Sequence, residues 1–190
     1  MSSHHIVKEK QEPALVVEHL ANVEEDFLGQ LLEWTPTLVT HDNCAMHLIE
    51  RGIKIDVLIS NEETFTAQSY VSVLRDTQKT FLEQSLSYLL SRAYPAVNII
   101  SEHLPLYLFA FYWKKINMVV FQQKKKIFPV TSGFRKWKPA HESIFIYAPE
   151  GSFKTKGLKK QAGELYTTTT DGFYEITFSD RPYILIAELF

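Results

Sequence analysis

The feature that most constrains this chain is a change of texture near residue 122. Before it, short apolar runs alternate with segments whose apolar residues recur at helical spacing, the pattern of a sheet with helical crossovers. Ala14-Leu15-Val16-Val17 reads as a buried strand. Asn22, with Glu25 three residues on, reads as the N-cap and capping-box partner of a helix carrying Val23, Phe27, Leu31 and Leu32 on one face. Thr37 to Thr40 reads as a second strand and Asn43 to Arg51 as a second helix, with Gly52 where a left-handed C-cap belongs. Val57 to Ile59 and Tyr70 to Leu74 continue the strands. A helix capped by Asp76 or Thr77 is expected through Ser91, then a strand over Ala96 to Ile100. The aromatic-rich Leu106 to Trp113 reads as a helix buried on most sides.

After residue 122 the runs shorten. Met118 to Phe121, Ile127 to Thr131, Ser143 to Tyr147, Tyr174 to Phe178 and Tyr183 to Ala187 are separated by turn signals at Gly133, Pro149-Glu150-Gly151, Asp171-Gly172 and Asp180-Arg181-Pro182. Evenly spaced short strands predict a small β-sandwich or barrel. The expected organisation is therefore an α/β domain over 1–121 and an all-β domain over 122–190. With 45% hydrophobic residues in 190, there is enough apolar material for one ordinary core or two small ones.

Charge narrows the partners. Twenty basic and 22 acidic residues leave a formal charge of −2, so no whole-molecule field draws the chain to nucleic acid or to an anionic membrane. Lys124-Lys125-Lys126 reads as a solvated turn between strands. The single Cys44 excludes an intrachain disulfide and suits a reducing compartment. Met1 to Pro13 is polar and carries both charge signs, unlike a signal peptide. The most apolar run, Leu104 to Trp113, is half the roughly 20 residues that span a bilayer. A soluble, cytoplasmic protein is expected.

Two stretches carry more specific information: Asp42-Asn43-Cys44-Ala45-Met46-His47-Leu48, and Gly52-Ile53-Lys54-Ile55-Asp56-Val57-Leu58-Ile59-Ser60-Asn61-Glu62-Glu63-Thr64. In order and spacing they resemble the thiamine pyrophosphokinase pattern D-G-G-A-N-x-L followed by G-I-x-P-D-x-x-I-G-D-x-D-S. Farther on, Ser143-Ile144-Phe145-Ile146-Tyr147-Ala148-Pro149 and Phe153-Lys154-Thr155-Lys156-Gly157-Leu158-Lys159 resemble that family's S-L-x-P-L and T-x-G-L-K segments. The resemblance runs from Ala14 onward. It implies a Rossmann-like, mostly parallel α/β domain of nucleotide-binding type, then a β-sandwich of thiamine-binding type. It also implies a homodimer, ATP and magnesium as cofactors, and pyrophosphoryl transfer to thiamine.

Matched residue by residue, the acidic frame is thinned. Asp42 is kept. Asn61 stands at the first Asp of G-D-x-D-S and Glu63 at the second, while the family's T-D pair becomes Thr80-Phe81. Ser101 to Tyr107 has neither the glycines, the Arg nor the Asp of G-G-R-x-D-H, and Asn43 and Cys44 replace glycines. The resemblance implies Asp42 and Glu63 as catalytic candidates and Asn61, Glu63 and Asp76 as magnesium ligands. Ser143, Gly157 and Lys159 are its substrate-binding candidates. Lys160 occupies an aromatic position of the family and Thr167 to Thr170 replace its S-N motif, with Trp137 and Tyr166 as other aromatics available to a thiazolium.

Ordinary roles stand beside these. Asp42 and Asp76 can cap helices, Glu62 and Glu63 suit a helix's first turn, and Asp56 suits a turn. His41, Cys44 and His47 lack the fourth ligand of a zinc set. Glu102-His103 forms a separate polar pair at a strand end. Three readings follow. The first is a non-catalytic or repurposed relative binding a nucleotide or small phosphorylated ligand; the second is a working thiamine diphosphokinase. The third is a dimeric interaction protein without a small ligand.

Overall fold

The computed structural model describes residues 12–21, 23–62 and 67–190. The expected cap Asn22 and the candidate ligand Glu63 lie outside the described residues. The chain divides into two compact units, Met1–Met118 and Val119–Phe190.

In the first unit the order is β1 (Ala14–Val17), α1 (Glu25–Leu32), β2 (Leu38–His41), α2 (Asp42–Glu50), β3 (Val57–Ser60), β4 (Ser72–Arg75), α3 (Phe81–Ser91), β5 (Ala96–Ile100) and α4 (Leu106–Tyr112). The strands pair in parallel in the order β5-β1-β2-β3-β4. Every residue of β1 and β3 is buried, as unbroken apolar runs in a parallel sheet require. Leu15, Val17, Leu28, Leu38, Ala45, Leu48, Ile55 and Leu58 form one core beneath α1 and α2. Gly52 takes φ +71° just past α2, where the amides of Arg51 and Gly52 close back on the carbonyls of Leu48 and Ile49.

Two sequence expectations need correction here. Helix α3 does not begin at Asp76 or Thr77. Its N-cap is Thr80, whose Oγ1 accepts from the Glu83 amide while the Glu83 carboxylate accepts from the Thr80 amide. A reciprocal capping box satisfies two otherwise orphaned donors, more than either earlier residue offers. Those hydrogen bonds to Thr80 hold the Glu83 carboxyl below its usual range. Thr80→Ala is expected to lower stability by about 1 kcal/mol, read as a lower urea midpoint at unchanged slope. The second correction concerns α4, which is not buried on most sides. Leu108 and Phe109 are buried, but Leu106, Tyr107 and Phe111 are exposed.

The second unit carries β6 (Asn117–Gln122), which starts at the boundary. It continues through β7 (Lys125–Val130), β8 (Phe134–Lys138), β9 (Ser143–Tyr147), β10 (Lys154–Lys156), β11 (Leu158–Ala162), β12 (Leu165–Thr168), β13 (Gly172–Thr177) and β14 (Ile184–Leu189). One antiparallel set runs β6-β7-β14-β9-β12-β11; a second, three-stranded sheet runs β10-β13-β8. The core draws Val130, Ile144, Ile146, Tyr166, Ile184 and Ile186 from the first and Tyr174 and Ile176 from the second. Strands β8, β10, β11 and β12 escaped the sequence reading because Lys, Arg, Gln and Thr dominate them. Of the expected lysine turn only Lys124 sits at φ +62°, paired with Gln123 at +48° as a tight hairpin needs. Lys125 and Lys126 belong to β7, and Lys125 Nζ lies 4.0 Å from the Phe145 ring centroid.

Candidate functional site

In an open parallel sheet the loops leaving the carboxyl ends of the strands are free to shape a crevice. Here the ends of β1, β2, β3 and β4 and the first residue of α3 enclose a cleft of about 930 Å³. Glu18 directly follows β1, His41 closes β2 and Asp42 opens α2, Ile59 comes from β3, Asp76 follows β4, and Phe81 begins α3.

Glu18 is the most constrained residue of this wall. Its amide donates to the Ile100 carbonyl at 3.0 Å. Its own carbonyl accepts from His41 Nε2 at 2.9 Å and from the Cys44 thiol at 3.4 Å. Its carboxylate lies 2.5 Å from the Ser101 hydroxyl. Because a carbonyl only accepts, the proton of His41 sits on Nε2 and that of His47 on Nδ1, 3.2 Å from the Asn43 carbonyl. His41 also meets Phe81 edge to face, with centroids 4.7 Å apart. Burial pushes the Cys44 thiol up, with the Thr40 hydrogen bond opposing it, so this sulfur is held as an unreactive thiol. Its 3.9 Å separation from His41 Nε2 completes no metal set.

Of the candidates from sequence, Asp42 and Asp76 line the cleft together, both exposed. Asn61 and Glu62 are exposed beyond β3 and are not among its lining residues; the Glu62 amide instead bonds the Ser60 hydroxyl at 2.9 Å. Glu102 lies 3.7 Å from His19 of the lining, and the His103 amide donates to the Ser101 hydroxyl at 3.2 Å. Among the described residues no three His, Cys, Asp or Glu side chains come close enough to hold a metal ion. Magnesium wants hard oxygens in octahedral array. The described donors do not fit a site that the protein builds on its own.

Sequence reasoning missed Glu18, His19, Arg51 and Lys79 as lining residues. Glu18 was legible in principle, since it follows a strand as directly as Asp76 does. Arg51 and Lys79 give the cleft fixed cations; among the described residues neither forms an ion pair. The lining thus mixes two permanent cations and three imidazoles with three carboxylates.

In the second unit, Ser143 pairs with Thr167, and Thr167 pairs with Lys159, so the three stand in one row across β9, β12 and β11. Directly opposed residues share a face. The row brings Ser143 and Lys159 within two strand spacings, about 10 Å. Gly157 lies outside it, in the link between β10 and β11 at φ +75°. Lys160 points to Glu150, 2.5 Å from its carboxylate, and this bond raises its pKa.

No protein-family model and no curated protein matches the sequence. The fold does have solved counterparts. The yeast thiamin pyrophosphokinase structure superposes with a TM-score of 0.69 at 11% identity, over 97% of this chain and 88% of that one. Thiamin pyrophosphokinase from Candida albicans gives 0.68 at 9% identity over 94% and 90%. Thiamine pyrophosphokinase from Bacillus subtilis gives 0.65 at 13% identity over 94% and 99%.

Proposed function

On the thiamine pyrophosphokinase fold that this chain adopts, we propose a protein that has kept the scaffold and given up the reaction, and that binds a nucleotide or small phosphorylated ligand at its strand-end cleft. In this reading 1–121 is the Rossmann-like, nucleotide-binding-type domain and 122–190 the β-sandwich of thiamine-binding type. The protein works in the cytoplasm as a homodimer, and Ser143, Gly157 and Lys159 descend from a substrate-binding surface.

The observation that carries it is Phe81. Where the family's pattern has a carboxylate beside Thr80, a half-buried ring lines the cleft and packs on His41. An aromatic ring can neither hold a cation with oxygen nor accept a proton. Pyrophosphoryl transfer depends on placed charge, and loss of one such group costs about 2.7–4 kcal/mol of barrier. Arg51 and Lys79 supply the attraction that a phosphorylated ligand needs.

A working enzyme is the second reading, favoured by the convergence of Asp42 and Asp76 on one cleft, with Glu63 as the further acid and ATP and magnesium as cofactors. Calorimetric titration with thiamine, then with ATP with and without magnesium, followed by an assay for thiamine diphosphate, separates the two. Nucleotide binding without product is the expected result. Magnesium-dependent product would overturn the proposal and make Glu63→Ala the next variant. Silence toward every ligand would leave the interaction-protein reading.

A further inference from the structure

The three-stranded sheet turns one face to the core and leaves the other bare. Tyr174 and Ile176 of β13 point inward, so Phe173 and Glu175 point outward. Phe173 stands opposite Trp137 of β8, and Glu175 stands opposite Arg135 of β8 and Lys156 of β10. Lys154, opposite Thr177, completes the same face. Trp137 is 53% exposed and Phe173 56% exposed. The Arg135 guanidinium sits 4.4 Å from the Phe173 centroid, and among the described residues no ring or cation covers Trp137. Two neighbouring large aromatics thus stand on this exposed face, ringed by three cations and one carboxylate.

We infer that this outer face binds single-stranded nucleic acid, with bases stacking on Trp137 and Phe173 and phosphates lying against Arg135, Lys154 and Lys156. Only a chain that presents both flat rings and anions uses the whole surface. Base-on-aromatic stacking tolerates any sequence, and adjacent basic side chains track the backbone. An acidic peptide satisfies the cations, but its carboxylates gain nothing from ring faces that are themselves negative. A second copy fits worse. A two-fold contact sets the patch against itself, bringing three cations and one carboxylate onto the same excess of positive charge. The chain's overall charge of −2 supplies no long-range attraction, so binding rests on this patch alone and is modest.

The test uses the full chain and a fluorescein-labelled oligouridylate about ten nucleotides long, read by anisotropy. The expected result is saturable binding whose logarithm falls against log salt with a slope of about −2, as three released counterions on a single strand give. Trp137→Ala should weaken it by about 5- to 100-fold while leaving the thermal midpoint in place, and Trp137→Phe should restore most of it. Arg135→Gln with Lys154→Gln should flatten the slope to about −0.7. Several outcomes would overturn the inference. One is no binding at about 1 mM protein; another is duplex of the same length binding equally and ignoring Trp137→Ala. So is polyglutamate binding that depends on Trp137 in place of the oligonucleotide, or sedimentation showing a dimer that Trp137→Ala dissolves.

Discussion

Glu188→Ala is expected to destabilise the second unit by about 3 kcal/mol, measured as a loss of chemical stability at neutral pH. Glu188 is 4% exposed on β14, yet it faces three donors from the other sheet. Lys136 Nζ lies at 2.6 Å, Lys138 Nζ at 3.2 Å and the Tyr174 hydroxyl at 3.1 Å. Lys136 keeps 39% of its side chain in contact with solvent, but Lys138 keeps only 18%. Removing the carboxylate therefore strands a largely buried ammonium and a buried hydroxyl, and stranded partners cost more than a lost bond. Glu188→Gln, which keeps an acceptor and drops the charge, should cost about half as much.

Acid supplies the control. Burial pushes the Glu188 carboxyl up, but the hydrogen bonds and charges of Lys136 and then Lys138 outweigh it and hold it below the usual range. A depressed carboxyl contributes its stability above the ordinary glutamate value, about 4.3, and loses it as pH falls through the lower folded value. The gap between the parent and Glu188→Gln should thus be smaller at pH 3 than at pH 7. An equal gap at both would mean that the lysines do not hold the charge. The same carboxylate, with burial as the larger cause, pushes the Tyr174 phenol far up, so Tyr174 stays a donor at every accessible pH.

Gly157→Ala is expected to cost about 2–3 kcal/mol, far more than a surface loop substitution normally does. Gly157 sits where the chain leaves β10 on one sheet and starts β11 on the other. Its φ is +75°, and a Cβ there would lie 2.9 Å from the Phe173 carbonyl oxygen and 3.3 Å from the Tyr174 Cα. Both are backbone atoms of a paired strand and cannot rotate aside. Gly151 provides the comparison, because at φ +80° it has nothing within 4 Å of a built Cβ. Gly151→Ala should cost only the left-handed backbone term, about 1 kcal/mol. Equal thermal shifts for the two would remove the crowding argument.

How far the sequence could be read depended on whether burial or charge drew each element. β1, β3 and β5 were legible because both faces of a parallel strand demand apolar residues, and Val-Val or Leu-Ile runs leave no alternative. β8 was not, since Phe-Arg-Lys-Trp-Lys alternates two kinds of surface: lysines that reach inward to Glu188, and an arginine and a tryptophan that stay outside. No local pattern reveals that a lysine's partner lies 52 residues away. α4 misled for the opposite reason. Its composition is that of a core, but the helix turns Leu106, Tyr107 and Phe111 outward. At the cleft, Asp42 and Asp76 directly follow β2 and β4, so the strands fix where they stand. Arg51 and Lys79 follow no spacing rule and only the folded crevice gathers them, whereas Glu18, like Asp76, directly follows a strand.

The inward-facing lysines of β8 also act as a check on register. β8 lies at the margin of a three-stranded sheet, where strands most easily slide. A slip of one residue against β13 would bury Arg135 and Trp137 and send Lys136 and Lys138 to solvent. An apolar strand would tolerate that exchange, but this one would strand Glu188 in the interior. The check can operate only once β14 is in place, about 50 residues after β8 in chain order. On a growing chain, β8 and β13 emerge before Glu188, so their alignment is expected to be open until Glu188 arrives. Slow refolding phases that vanish when Glu188, Lys136 and Lys138 are all made apolar would be the kinetic trace of that selection.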